Sequence, residues 1–331
     1  MNKHKISVII PIYNCAEWIE KCVNSILNQK LPNFYELQVV LVDDGSSDNS
    51  GKICDTLAHE NSVVIVIHQS NAGVSEARNK GIDVSDGDWI CFVDGDDVLK
   101  DDAFMILSDQ EVAEHDIVRF GAYVFSDTLP QSSFEKKYSK DKDEYIQLVV
   151  RRFAMLGVCG AFYKRELFLN NNIRFQNGIR MGEDWMVLFK LLVKAESFTY
   201  IDKELYGYRV NDNSVTRRLV SSVRPDALIA LNHIIDYAKE NKYVISLKDI
   251  AIARSDIRRN MMKEAILNKN KEFFINTDNA LKKYAPQSFW ADVWYSQKFK
   301  HKVGFVLYLC MDKLYRFLFL IIGLRFVNGL L

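Results

Sequence analysis

The sequence predicts an α/β protein with a mostly parallel central sheet, flanking helices and a separate helical region toward the C-terminus. Three observations carry that expectation. Short β-branched apolar runs alternate with segments of helical spacing through the first hundred residues. Strands covered on both faces read as continuous apolar runs, and strand–helix alternation is the pattern of parallel βα units. Beyond about residue 216 strand runs almost vanish while helical spacing continues.

The elements follow in order. Ile6–Ile10 is an apolar run stopped by Pro11, a buried strand that leads into the loop Pro11-Ile12-Tyr13-Asn14. Glu17–Asn28 places Trp18, Ile19, Cys22, Val23, Ile26 and Leu27 at helical spacing. Leu37–Val42 is a second strand, ending in Asp43-Asp44-Gly45-Ser46-Ser47-Asp48, whose hydroxyls and carboxylates suit the cap of a helix through Cys54 and Leu57. Val63–Ile67 is a third strand, Ser75–Ile82 a helix and Trp89–Val93 a fourth strand. Farther on, Ile117–Phe125 and Cys159–Tyr163 read as strands, and Tyr145–Met155 and Met181–Val193 as helices. Tyr206–Arg209 and Asn211–Ser214 have the composition of a binding loop. Helices are expected over Asp226–Lys239, Leu247–Leu267 and Phe273–Tyr284. The resulting division is 1–215 for the α/β domain, 216–302 for the helical region and 303–331 for an apolar, basic tail.

Composition limits the functional classes. The 331 residues are 48% hydrophobic and 26% charged, an ordinary globular profile with ample core. Formal charge is zero, yet from Thr216 onward 20 Lys/Arg face 10 Asp/Glu, while 23 face 33 before it. The acidic part suits a cation site and the basic part an anionic surface. No nucleic-acid motif accompanies the basic part, so nucleic acid is not an expected partner. The six cysteines are scattered without a C-x-x-C pair, which fits free thiols in a reducing compartment. A strand begins within six residues and no signal-peptide core precedes it, so the α/β domain is expected in the cytoplasm. The tail has no uncharged run near the ~20 residues that span a bilayer. Following Lys298, Lys300 and Lys302, it is expected to lie on a membrane surface, with a core or oligomer-interface helix as the alternative.

Chemistry concentrates at strand ends. Trp89–Val93 runs into Asp94, Asp96 and Asp97, a self-repelling cluster that a hard divalent cation, Mn²⁺ or Mg²⁺, would relieve while sharing a substrate's phosphates. Ligands of parallel α/β sheets bind beyond the carboxyl ends of the strands, so Pro11/Tyr13, Asp43/Asp44 and Asp94/Asp96 can surround one crevice.

Ser7–Asn14, Val42–Asp48 and Phe92–Asp97, followed in order by Asn71–Asn79 within that span and by Gly182-Glu183-Asp184, resemble the inverting family-2 glycosyltransferases of bacterial polysaccharide synthesis, which have the GT-A fold. The resemblance covers roughly residues 5–215. It implies that Pro11, Tyr13 and Asp44 hold the nucleotide base, with Asp43 supporting the loop. It further implies that Asp96 binds the metal, with Asp94 on the ribose or behind the metal, and that Asp184 is the catalytic base with Glu183 and Trp185 beside the acceptor. Arg78 would orient the acidic loops, and Tyr208 and Arg209 would close over the diphosphate. The expected donor is a UDP-sugar and the expected acceptor a saccharide or lipid-linked saccharide of a surface polysaccharide, at the inner face of the cell membrane; homo-oligomerisation stays open.

Other classes fit less of the chain. Asp94-Gly95-Asp96-Asp97-Val98 also matches the nucleophile motif of haloacid-dehalogenase-type phosphatases, but that motif belongs on a first strand and three precede it here. No G-x-G-x-x-G follows the first strand, against a nicotinamide dehydrogenase. A non-catalytic membrane scaffold has no need of Asp94, Asp96 and Asp184 together.

Overall fold

The computed structural model describes residues 3–126, 132–133, 137–153, 157–210, 225–267 and 271–285, in two compact units divided after Thr216. The tail 303–331 and the segment Asn211–Ser214 lie outside the described residues.

The first unit begins with β1 (His4–Ile12), α1 (Ile19–Leu27), β2 (Tyr35–Asp43), α2 (Ser50–Glu60), β3 (Val64–His68), α3 (Val74–Val84) and β4 (Trp89–Phe92). These strands are parallel in the order β3-β2-β1-β4. Ile6, Val8, Ile9 and Ile10 of β1 are fully buried, as two-sided covering of a parallel strand requires. One polar residue interrupts the run: Ser7, whose hydroxyl donates to Gln38 Oε1 (2.5 Å) and accepts from the Gly87 N–H (2.9 Å). Its burial costs little because both functions are used.

The rest of the unit makes the sheet mixed. It comprises β5 (Val98–Leu99), a 3₁₀ turn at Phe104–Ser108, α4 (Gln110–Ala113), β6 (Ile117–Phe125), β7 (Ser132–Ser133), α5 (Lys142–Val150), β8 (Ala161–Lys164), α6 (Arg165–Asn170), α7 (Glu183–Lys194) and β9 (Phe198–Arg209). The sheet continues from β4 through β8, β6 and β9 to β5, with β7 paired to β6. β8 is antiparallel to both neighbours, whereas β6 and β9 are parallel.

Tyr206–Arg209 is a correction to the sequence reading. It is the end of a 12-residue strand, not a loop. Tyr206 and Gly207 pair with Leu99 and Val98 on one side, while Tyr208 and Arg209 pair with Val124 and Phe125 on the other. Partners on both edges fix the strand conformation, and no local alternation advertises it. The helix expected from Tyr145 starts earlier, because Asp141 caps it by accepting the Glu144 N–H (2.8 Å).

The second unit contains α8 (Asp226–Glu240), α9 (Leu247–Leu267) and α10 (Lys271–Tyr284), with Leu228, Leu231, Ile234, Ala253 and Ile257 buried. Asn232 and Arg258 donate to the carbonyls of Tyr284 and Ala285, closing the end of α10. No helix among the described residues is long and apolar enough to cross a membrane.

α3 lies on β1 with no spare room. A Cβ on Gly81 would sit 2.3 Å from Cγ2 of Ile9. Gly81→Ala therefore lowers stability by about 2 kcal/mol, overriding the ~1 kcal/mol that alanine gains in a helix. Urea unfolding checks this: the midpoint should fall in the single variant but not in an Ile9→Ala background, where Cγ2 is gone.

Candidate active site

Parallel register brings the strand ends side by side. Ile12 pairs with Asp43 and Asp43 with His68, so the loops after β1, β2 and β3 leave the sheet at one level, while β4 ends at Phe92 opposite Ile9, three residues short of them at the same edge. The loop after β2 is tied to its neighbours by its own polar groups. Asn14, at φ 49°, accepts from the Ser47 N–H (2.8 Å) and donates its own N–H to Ser46 Oγ (3.0 Å).

Asp43 accepts the Ser46 N–H (3.0 Å) and lies 2.9 Å from His68 Nδ1, whose Nε2 reaches Asp55 (3.0 Å). Burial pushes the Asp43 carboxyl up, but the hydrogen bonds from Ser46 and His68 outweigh it and hold the group below its ordinary range. Asp55 first, and Asp43 second, hold His68 above its ordinary value. Asp44 is 3% exposed and collects the loop after β3: Oδ1 accepts from Gln69 Nε2 (2.7 Å) and the Ala72 N–H (2.8 Å), and Oδ2 from the Gly73 N–H (2.8 Å). Pro11 is half-buried and Tyr13 is 53% exposed at the same loop cluster.

The loop after β4 holds the acidic cluster, and its three carboxylates do different work. Asp97 is buried and faces away from solvent: Tyr206 Oη donates to Oδ2 (2.6 Å) and the Arg209 N–H to Oδ1 (2.8 Å). Tyr206 Oη also accepts the Asp94 N–H (3.2 Å), so one hydroxyl of β9 holds both ends of the turn. Arg209 is buried between the rings of Trp18 (4.1 Å) and Phe125 (4.5 Å), and its Nε donates to the Asp96 carbonyl (2.8 Å). Asp96 is left at the edge of this frame. Burial, and after it the charge of Asp94, push its carboxyl up to about 6.

A divalent cation fits that chemistry. Among the described residues no three His, Cys, Asp or Glu side chains form a ready-made cage. An ion held by one or two carboxylates and a substrate's phosphates needs none. Asp96, disfavoured as an anion by its surroundings, gains from a cation what Asp97 obtains from Tyr206 and Arg209.

The third part of the site is the start of α7. Gly182, at φ 97°, turns the chain into the helix, and Glu183 and Asp184 occupy the first turn, where negative charge is favoured. Glu183 is buried and Asp184 partly exposed. Trp185 is buried and donates Nε1–H to the Val149 carbonyl (2.7 Å), which fixes the helix start against α5. Asp184 Oδ1 accepts the Trp185 N–H (2.7 Å).

Arg78 joins the second and third parts. It projects from α3, is 5% exposed, and donates Nη2–H to Asp94 Oδ1 (2.8 Å) and Nη1–H to Glu183 Oε1 (3.1 Å). Its guanidinium lies 5.3 Å over the Phe175 ring. Burial, then Asp184, push Glu183 up to about 7 against the pull of Arg78. The structure thus brings together Asp94, Asp96, Arg78, Glu183, Asp184 and Arg209, with Pro11, Tyr13, Asp43 and Asp44 at the adjoining strand ends; Tyr208 stands half-buried on β9. Tyr206 escapes the sequence reading, although it lies inside a stretch singled out there.

The family model "Glycosyl transferase family 2" matches residues 7–175. The chain belongs to that family. The match takes in the loops after β1, β2 and β3 and the acidic cluster, and ends before Asp184. Among curated relatives, an uncharacterized glycosyltransferase, EpsJ, of Bacillus subtilis is 35% identical over 218 residues, 64% of this chain and 62% of that one. The glycosyltransferase GlyA of Streptococcus pneumoniae is 34% identical over 226 residues, 64% of this chain and 32% of that one. This chain therefore spans only part of the length of these relatives. The solved structure of S. aureus TarS in complex with UDP-GlcNAc superposes with a TM-score of 0.63 at 20% identity, covering 85% of this chain and 80% of that one. The fold is thus the GT-A fold expected from the sequence, and the phosphatase alternative falls with the family match.

The raised Asp96 value has a sign that can be measured. A carboxyl that ionises less readily in the fold than in the unfolded chain stabilises the fold fully below about pH 4 and loses that contribution as pH rises through about 6. Asp96→Asn, which stays neutral, should exceed the wild type in cation-free unfolding stability by about 3 kcal/mol near pH 7.5 and come close to it near pH 4. An equal difference at both pH values would contradict the assignment.

Proposed function

We propose that this protein transfers a sugar, with inversion, from a UDP-sugar to a hydroxyl of a saccharide acceptor in the synthesis of a surface or extracellular polysaccharide. The observation that carries the reading is Arg78, which ties Asp94 of the acidic loop to Glu183, the neighbour of Asp184. The reading is supported by family membership and by TarS, a protein of the same fold whose solved structures hold UDP and UDP-GlcNAc. Relatives named for minor teichoic acid biosynthesis and as a poly(ribitol-phosphate) β-glucosyltransferase favour a polymeric saccharide acceptor.

In this mechanism the loops after β1 and β2 bind the nucleotide: Tyr13 offers an exposed ring beside Pro11, and Asp44 accepts from the base with the lone pair left on Oδ2 while Asp43 keeps the loop in shape. Asp96, with Asp94 behind it, would hold Mn²⁺ or Mg²⁺. When bound, the ion supplies Lewis-acid stabilisation of the negative charge that develops on the departing diphosphate. Asp184 takes the proton of the attacking acceptor hydroxyl. Glu183 holds Arg78, and Trp185 fixes the turn from which Asp184 projects. A single base and a direct attack give inversion at the anomeric carbon. The protein works at the cytoplasmic face of the membrane, where the basic apolar tail 303–331 would hold it.

Asp184→Asn separates binding from chemistry. Calorimetry with Mn²⁺ should give a UDP affinity within about twofold of wild type, lost on adding chelator, while single-turnover transfer falls at least ~100-fold. Retained transfer in this variant would remove Asp184 from the role of base.

A further inference from the structure

The stretch Gly157–Gly160 runs past the start of α7 without slack. Gly157 has φ 50°, and a Cβ there would lie 1.8 Å from Asp184 Oδ2 and 2.5 Å from its carboxyl carbon. The Asp184 carboxyl therefore occupies the space that a side chain at residue 157 would fill. On its other side the carboxyl is limited by the Trp185 N–H on Oδ1.

The stretch is itself held from within the sheet. Arg119 of β6 is 1% exposed. Its Nη1 donates to the Gly157 carbonyl (2.9 Å) and to Tyr163 Oη (3.0 Å), and its Nη2 donates to the Cys159 carbonyl (3.0 Å). Tyr163 Oη in turn donates to the Val158 carbonyl (2.8 Å). Three consecutive carbonyls are thus fixed by one guanidinium and the phenol it orients. The planar fork of the guanidinium sets two of these bonds at once in a way a single ammonium cannot.

We propose that Arg119 and Gly157 are positioning residues for the catalytic base: Arg119 locks 157–159, and Gly157, by carrying no Cβ, admits the Asp184 carboxylate in the orientation that receives the acceptor proton. This rests on the reading of Asp184 as that base. Neither residue touches substrate, and both act by restricting where one carboxylate points. Displacements on the order of 1 Å at a reacting group cost roughly 100-fold in rate.

The test compares full-length wild type, Gly157→Ala, Arg119→Lys, Asp184→Asn and the Gly157→Ala/Asp184→Asn pair. Each is assayed for UDP affinity in Mn²⁺, single-turnover transfer and the pH dependence of transfer. Gly157→Ala should lower transfer about 100-fold with UDP affinity within about twofold, and move the acid limb of the pH profile, which a loss of folded protein would not do. Arg119→Lys should give a smaller loss of the same kind, about 10-fold, because one ammonium replaces the two-carbonyl fork. The paired variant should be no slower than Asp184→Asn alone. Wild-type transfer in Gly157→Ala, beside an inactive Asp184→Asn, would overturn the inference while leaving the base assignment intact. UDP affinity falling in step with transfer would overturn it as well, by making the role general support. Full transfer in Asp184→Asn would overturn the base assignment and this inference together.

Discussion

The site depends on one buried cation shared by two acidic elements. Arg78 lies on α3, between the loop after β4 and the start of α7, and donates to a carboxylate of each. Neither element would hold its acids in place alone: Asp94, Asp96 and Asp97 repel one another, and Glu183 beside Asp184 is pushed toward neutrality by burial. Removing one partner of a buried ion pair typically costs ~3–5 kcal/mol because the other charge is stranded. Arg78 therefore links the position of the acidic loop to that of the helix start that carries the proposed base.

The acidic loop gains its shape from the opposite side through β9. Tyr206 and Arg209 hold Asp97 and the Asp96 carbonyl, and so set the shape of the turn. The three aspartates are thus sorted by their neighbours: Asp97 builds the turn, Asp94 is bound to Arg78, and Asp96 suits a cation. A similar division runs through the end of β2, where Asp43 is committed to Ser46 and His68 while Asp44 gathers the loop after β3.

The first half of the fold was legible because β1, β2 and β4 are buried on both faces, which leaves an apolar run that sequence pattern reveals. Asp43, Asp94 and Asp96 stood out as charges that a strand end does not require, whereas Asp184, an acid where a helix start favours one, was marked only by the family resemblance. The end of β9 was not, since Tyr206–Arg209 becomes strand only through pairing with Val98–Leu99 and Val124–Phe125. Tyr206, Arg119 and Gly157 escaped for the same reason. Their contacts reach residues 112, 38 and 27 positions away, to Asp94, Gly157 and Asp184, and nothing in their local sequence marks those partners. Arg78 stood between these cases: the family resemblance suggested a tie to the acidic loops, but its two partners emerge only from the packing of α3.

The most direct measurement on the central claim is made on Arg78→Met, comparing Mn²⁺-dependent UDP affinity with the single-turnover rate of transfer at saturating donor. If Arg78 holds the donor loop and the base as one assembly, both quantities fall in the folded variant, each by about 10-fold or more. A variant that binds UDP more weakly yet transfers bound donor at the wild-type rate would show that the two elements are placed independently, and would contradict the account.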